Sequence, residues 1–274
     1  MKEIEPMIML YSPKFLLHLC SSQLKQNISL LFLWTNKKLH YLSVKLFILQ
    51  AIVAIPSLLS SATAQNQRPS AGTWLSVHLP LQLNARWQIQ NDLNYRTLGN
   101  TTAALQHLHR FGLRYFINDK WSVTAGAAFS FTRTSFTKQN KEFAKEFRYW
   151  QELNYKTNLN PKLQLQIRTR AEERSFSATS SKAAFHALRY RIKPQLLQKF
   201  SAKWALLIAD EYMQQHAHNS WSFDQNRLIA NGVYYFNKST QLQAGYMWLR
   251  LPANTSQHIL TLTYYKTISL HAKQ

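Results

Sequence analysis

The chain has 274 residues, of which 33 are Lys or Arg and 12 are Asp or Glu, giving a formal net charge of +21. Six Gly, eight Pro and 13% aromatic residues exclude collagen-like and low-complexity classes. A strong positive charge suggests nucleic acid or an anionic surface as a partner. The basic residues stand singly or in pairs, however, without a run of five or six. We therefore expect no nucleic-acid partner.

The N-terminal part of the sequence has the pattern of an export signal. Lys37, Lys38 and Lys45 precede an apolar run at 46–59, and the small-x-small triplet at 62–64 follows it. The run is shorter than the roughly 20 residues that a membrane-spanning helix needs. The pattern predicts a signal peptide at 41–64, cleaved before residue 65. Residues 1–40 are interpreted as an over-extended or disordered N-terminus.

The single cysteine lies in this N-terminal part, at Cys20. A mature chain starting at residue 65 would contain no thiol, which suits an oxidising envelope compartment and excludes disulfides and Cys-based metal sites. The sequence also contains no Gly-rich phosphate loop. We expect no cofactor.

From residue 73 onwards, apolar and polar residues alternate with a period of two, which predicts β-strands with one apolar and one polar face. Four segments show this most clearly: 87–96, 146–155, 163–172 and 188–196. The segments run for about ten to fifteen residues, whereas strands of soluble proteins average about five or six. A tilted strand that crosses a bilayer needs about nine to eleven. Their length therefore favours a transmembrane β-barrel over residues 65–274.

The connections between the segments alternate between short turns and longer loops, as in bacterial outer-membrane barrels. Short turns are predicted at 84–85, 118–119, 158–161, 200–202 and 237–238, and longer loops at 97–103, 133–143, 174–183, 214–220 and 251–256. Eleven segments can be counted, although such barrels usually have an even number. We expect an all-β, antiparallel, up-and-down barrel of about ten to twelve strands. Pro80 permits an irregular first strand because proline has no N–H to donate.

Aromatic residues gather near the segment ends, where a membrane barrel carries its interfacial girdles. Trp74, Trp87, Trp121 and Trp204 are among the residues that we assign to these girdles. Four motifs give a further indication: TWLSV at 73–77, KEFRYWQE at 145–152, IRTRAEER at 167–174 and LRYRIKPQL at 188–196. With these motifs the chain resembles the domain-of-unknown-function family 2490, outer-membrane barrels found mainly in Bacteroidetes. The resemblance implies architecture and an outer-membrane location, but no activity.

The polar faces carry the main candidate site, a row of arginines and glutamates expected to point into one lumen. Its members are Arg110, Arg114, Arg148, Glu152, Arg168, Arg170, Glu172, Arg189 and Arg191. A narrow barrel fills its interior with side chains, so the row is typical of a packed, ion-paired polar core. Because arginine outnumbers acid, the row also fits a narrow anion-preferring channel or an anion binder. Both interpretations stay open.

Other chemistry finds less support in the sequence. Histidines such as His109 and His186 occur without a nucleophile elbow, so we expect no catalytic role, with a lipid-modifying enzyme as an alternative. His216 and His218 flank Ala217, but two imidazoles are too few for a closed metal site. A soluble β-sandwich is a further alternative.

The expected partners are outer-membrane lipid, lipopolysaccharide and small anions. Lipopolysaccharide phosphates would meet basic residues in the longer loops. These residues are Arg133, Lys138, Lys141, Lys145, Arg174 and Lys182.

Overall fold

The computed structural model describes residues 70–99, 103–134 and 142–270, so the predicted signal peptide and residues 1–40 lie outside the described residues. Within the described part, no helix is long and apolar enough to cross a membrane. The described residues form thirteen β-strands: β1 (Ala71–His78), β2 (Leu81–Gln82), β3 (Trp87–Leu98), β4 (Ala103–Phe116), β5 (Trp121–Arg133), β6 (Phe143–Asn160), β7 (Leu163–Phe176), β8 (Phe185–Lys199), β9 (Trp204–Ala217), β10 (Ser220–Tyr235), β11 (Thr240–Arg250), β12 (Ser256–Lys266) and β13 (Ile268–Ser269).

These strands form one sheet that closes on itself. From β3 to β12 each strand pairs antiparallel with the next, while β1 pairs with β3 on one side and with β12 on the other. β2 continues β1, and β13 continues β12, so the thirteen strands make eleven crossings. The prediction of an all-β barrel of ten to twelve strands is confirmed, and the alternative of a β-sandwich is wrong.

The closing seam of the barrel departs from the predicted antiparallel pattern, because β1 pairs parallel with β12 and β2 pairs parallel with β13. β1 and β12 run parallel, in register from Ala71 opposite His258 to His78 opposite Tyr265. An up-and-down chain with an odd number of crossings starts and ends in the same direction, so its first and last strands can close the ring only as a parallel pair. Pro80 lies in the break between β1 and β2, as predicted. Its carbonyl oxygen accepts a hydrogen bond from the Ile268 N–H at 2.9 Å.

The two ends of the barrel differ in their connections. The short-turn end carries the turns at 83–86, 117–120, 161–162, 200–203 and 236–239. In three of these turns Asn84, Asn118 and Asn160 each accept two backbone N–H bonds of 2.8 to 3.0 Å through the side-chain oxygen. Such local side-chain bonds are the reason that asparagine favours turns.

The long-loop end carries the connections at 99–102, 134–142, 177–184, 218–219 and 251–255. The predicted loop at 214–220 is wrong, because β9 and β10 extend to a turn of two residues. His218 and Asn219 have φ values of 50° and 61°, and positive φ at both central positions is the signature of a tight type I′ hairpin. Parts of the first two loops lie outside the described residues.

The two faces of the sheet have opposite character. Outward side chains are apolar or aromatic and exposed, as at Tyr149 (62%), whereas Arg148 on the same strand points inward and is 5% exposed. At the short-turn end, three cross-strand Trp–Tyr pairs have ring centroids 4.7 Å apart. They are Trp87–Tyr115, Trp121–Tyr155 and Trp204–Tyr234. Trp74 does not join them, contrary to prediction, because it points into the lumen.

Candidate functional site in the barrel lumen

The nine residues of the predicted polar row all lie on the inner face of the barrel, and each takes part in an ion pair. Two carboxylates organise the middle of the lumen. Arg191 bridges them, with Nη1 2.6 Å from Glu172 Oε1 and Nη2 2.6 Å from Glu211 Oε1. Arg189 approaches Glu172 from the same strand as Arg191 and donates to it through Nε at 2.8 Å. Charge-assisted, forked contacts of this kind are the strong hydrogen bonds of protein interiors.

The network continues from Glu211 to Glu152 through Arg168. Arg168 Nη2 lies 2.5 Å from Glu211 Oε1, and its Nε lies 3.6 Å from Glu152 Oε2. Arg170 donates to the same Glu152 oxygen through Nε at 2.8 Å, and Arg114 lies 3.6 Å from the other oxygen. Strands β4, β6, β7, β8 and β9 are thereby joined across the lumen by shared carboxylates.

The long-loop half of the lumen is closed by a further set of ion pairs. Arg148 donates two hydrogen bonds to the Glu146 carboxylate, through Nε at 2.6 Å and Nη2 at 2.7 Å. Arg174 donates to the same carboxylate through Nε at 2.5 Å. Four of these side chains are only 2% to 6% exposed: those of Glu146, Arg148, Glu172 and Arg189. Arg174 was predicted to face outward in a loop, and that prediction is wrong. Its guanidinium fills the lumen, because β7 runs to Phe176 and keeps residue 174 on the inward parity.

Several charged residues of the lumen were not in the predicted row: Asp92, Glu146, Arg174, Glu211, Asp224 and Arg227, which take part in ion pairs, and Arg96 and Lys193, which do not among the described residues. Glu211 is the most connected of them, with three arginine partners. The inward positions before it on β9 are Ala205, Leu207 and Ala209, so this strand carries no polar row in the sequence. Strict parity, counted from those buried positions, is the signal that finds Glu211.

The short-turn half of the lumen is a cavity of about 560 Å³. Its wall includes the exposed turn residues Asn118, Asp119 and Lys120, so it opens at the short-turn end. Buried Glu146, Arg148, Glu172 and Arg189 do not line it, which places its closed end toward the long loops.

The cavity wall is strongly cationic. Within the described part, ten cations line it: Arg96, Arg110, Arg114, Lys120, Lys156, Arg168, Arg170, Arg191, Lys193 and Arg227. Four carboxylates line it: Asp92, Asp119, Glu152 and Glu211. The imbalance gives the cavity a positive field that attracts anions.

Two tryptophans shape the closed end of the cavity. Trp150 lies over Gly112 and Gly126, where a Cβ atom would come within 2.7 and 2.8 Å of the indole. The Trp150 N–H donates to Ala127 O at 3.2 Å. Glycine is required at both positions because the ring occupies the space of a side chain.

The second tryptophan, Trp74, lies between two guanidinium groups. Arg96 is 3.8 Å and Arg227 is 4.9 Å from its ring centroid. Cations over an indole face are attracted by the ring quadrupole. This stacking holds Arg96 without a carboxylate partner among the described residues, since its guanidinium hydrogen-bonds instead to Gln106 at 2.6 Å.

Outside the lumen, Glu142 links two of the loops at the long-loop end by hydrogen bonds. Its carboxylate accepts hydrogen bonds from the Ser180 hydroxyl at 2.6 Å and the Ser180 backbone N–H at 2.9 Å. These bonds, the hydroxyl first, lower the pKa of Glu142 below its ordinary value. The contact joins the loop before β6 to the loop before β8.

The histidines in the described part of the chain do not assemble a metal site. Among the described residues, no group of three His, Cys, Asp or Glu side chains could hold a metal ion. His216 lies on β9 with its ring tilted against Trp221, while His218 stacks on Phe185. His186 Nδ1 lies 3.0 Å from Ser175 Oγ. The expectation that the chain has no catalytic role stays a prediction.

The fold and the lumen define a closed eleven-strand β-barrel with an ion-paired, cation-rich interior. The chain belongs to the family described as Protein of unknown function (DUF2490), whose family model matches residues 71–259. Among solved structures, a NanC porin in a rhombohedral crystal form is similar at 13% identity and a TM-score of 0.43, covering 69% of this chain and 87% of that chain. No curated protein matches the chain.

Proposed function

We propose that this protein is an outer-membrane β-barrel whose ion-paired lumen blocks free passage of solutes. The observation that carries the proposal is the layered Arg–Glu network, which fills the long-loop half of the lumen with side chains of 2% to 6% exposure. A narrow barrel packed in this way is a plugged barrel rather than an open pore. Under this proposal the long-loop end faces the cell exterior and the short-turn end faces the periplasm.

The outer face supports a location in a lipid bilayer. The strands of the main body, such as the 14 residues of β7 or the 13 of β5, exceed the length needed to cross the hydrocarbon core. The face is mostly apolar, and the Trp–Tyr pairs lie where a headgroup interface would run. Asp210 is a polar exception, and its carboxylate accepts a hydrogen bond from the Asn226 amide at 2.5 Å. Lipid and lipopolysaccharide are then the natural partners of this face.

Cell fractionation tests the location. The full chain is expressed in a Gram-negative host, and the outer-membrane fraction is run on a gel with and without boiling. A closed, detergent-resistant barrel is expected in that fraction, with faster migration before boiling than after it. Protein recovered in the soluble periplasmic fraction, with no heat-dependent migration, would overturn the proposal.

A narrow anion-preferring channel or anion binder is the second candidate function. Ten cations against four carboxylates along the cavity wall favour it. The two candidates differ in a planar bilayer, where a plugged barrel gives no steady current. Stable conductance steps, with reversal potentials in a salt gradient that show a preference for chloride, would support the channel and contradict the plugged barrel.

A further inference from the structure

We propose that the short-turn half of the lumen contains a binding site for a small oxyanion, centred on Lys193 and Arg168. The ligand class is a phosphate or carboxylate group carried by a small solute. This inference deepens the anion-binder candidate and rests on the barrel being closed at its long-loop end. The first observation is that β7 and β8 place two cations directly opposite each other, with Arg168 and Lys193 as cross-strand partners. Like charges in this position repel, and Arg168 has carboxylate partners whereas Lys193 has none within ion-pair distance among the described residues.

The carboxylate on the other neighbouring strand, β9, is already occupied. Glu211 accepts hydrogen bonds from Arg168 at 2.5 Å, Arg191 at 2.6 Å and Arg227 at 3.1 Å. Lys193 makes no hydrogen bond and no ion pair with any residue in the described part of the chain. The described lining residues Lys120 and Lys156 also lack a side-chain partner, but they are exposed, whereas Lys193 is half-buried. The Lys193 ammonium is therefore the cation inside the cavity that a ligand can engage without displacing an existing partner.

Neutral amides continue the site toward the opening. Gln166 and Gln195 are the next cross-strand pair below Arg168 and Lys193, and both line the cavity. Gln166 donates to Asn154 Oδ1 at 3.1 Å, which holds its side chain along the wall. An ammonium, a guanidinium and amide N–H groups together supply the donors that a phosphate or carboxylate oxygen requires.

The rest of the cavity wall has a surplus of donors. Five buried nitrogen atoms of lining residues make no hydrogen bond in the described structure: Trp74 Nε1, Asn94 Nδ2, Arg96 Nε, Arg110 Nε and Arg170 Nη1. No buried side-chain oxygen of the described residues is left in that state. These nitrogen atoms are closed off from the cavity space, so they do not bond a ligand directly, but they add to the positive field of the ten lining cations. This field favours anions over cations.

Titration calorimetry on the refolded barrel tests the site. The probes are inorganic phosphate, citrate as a carboxylate, and choline as a cation of similar size. The variant is Lys193→Gln, which removes the charge and leaves a neutral polar side chain one atom shorter. The matched control is Lys199→Gln, the same substitution on the same strand but at an exposed position outside the cavity.

At least one of phosphate and citrate is expected to bind, and choline is not. Lys193→Gln should weaken the binding by about tenfold or more, the usual effect of losing a hydrogen bond to a charged group, while Lys199→Gln stays within about twofold. Binding of phosphate alone or citrate alone identifies which oxyanion the site takes. Equal affinity of wild type and Lys193→Gln, or no binding of either anion, would overturn the inference. Heat-dependent migration of the same samples would still report a closed barrel, so the two failures are distinguishable.

Thiol labelling tests the side from which the site is reached. In Lys193→Cys the new thiol would be unique once the segment that contains Cys20 is removed. A bulky, membrane-impermeant maleimide should label it in cells with an opened outer membrane but not in intact cells, and the bound anion should slow the labelling. Labelling at equal rates in intact cells would place the opening at the long-loop end and refute the proposed access.

Discussion

Replacing Glu211 by Gln tests whether the ion network holds the barrel together. The substitution keeps the shape of the side chain and removes a carboxylate shared by three arginines. Arg191 keeps Glu172 at 2.6 Å, and Arg168 keeps Glu152 at 3.6 Å. Arg227 keeps only neutral partners, Gln225 at 3.0 Å and the Trp74 ring at 4.9 Å, so most of the cost falls on this one guanidinium.

Removing one partner of a buried ion pair costs about 3 to 5 kcal/mol. Because Arg168 and Arg191 retain carboxylates, we expect a loss near the lower end, about 3 kcal/mol, in the free energy of unfolding. The assay is urea unfolding in lipid vesicles, followed by tryptophan fluorescence and by heat-dependent migration on a gel. Asp210→Asn is the matched control: it lies next to Glu211, faces outward, and bonds only Asn226 among the contacts seen. It should change stability by about 0.5 kcal/mol or less.

Two results would refute the reasoning. If Glu211→Gln is as stable as the wild type, the charges of its three arginine partners do not need the Glu211 carboxylate, as would be the case in a water-filled lumen. A loss as large in Asp210→Asn would show that the effect belongs to β9 as a strand and not to the inward carboxylate.

Three further predictions follow from particular contacts. Gly126→Ala should cost about 1 to 3 kcal/mol in vesicle unfolding, because its Cβ would lie 2.1 Å from a backbone oxygen, whereas Gly232→Ala, with 3.7 Å of room, should be near neutral. Lys193→Gln should raise the free energy of unfolding by about 0.5 to 1 kcal/mol, since it removes the repulsion between Lys193 and Arg168. A loss of stability in this variant would contradict that repulsion. Ser180→Ala should raise the pKa of Glu142 toward its ordinary value in a carboxyl NMR titration. Because a lowered pKa stabilises the folded loop above the unfolded value of 4.5, that contact should weaken as the pH falls through the lowered pKa, and an unchanged titration in the variant would refute its cause.

Much of the candidate site could be predicted from the sequence, because strand parity assigns each residue to a face without knowledge of its neighbours. All nine residues of the predicted row point inward for this reason. Glu211 was not predicted as a lumen residue because its inward neighbours on β9 are apolar. Trp74 was assigned to a girdle although Ser76 and His78, on the same face of the strand, are polar. In both cases residue type was weighed above parity, and parity was the better guide.

The sequence by itself determined what depends on local pattern: long strands with one apolar and one polar face, asparagine-built turns at one end, and a family match over residues 71–259. The tertiary structure alone decided how these strands meet. Closure of the barrel depends on parallel pairing between β1 and β12, two strands that are far apart in the sequence. The ion network and the one-ended cavity depend on which carboxylate lies between which arginines. Periodicity is a property of neighbouring residues along the chain, whereas charge compensation in the lumen arises between strands that only the closed sheet brings together.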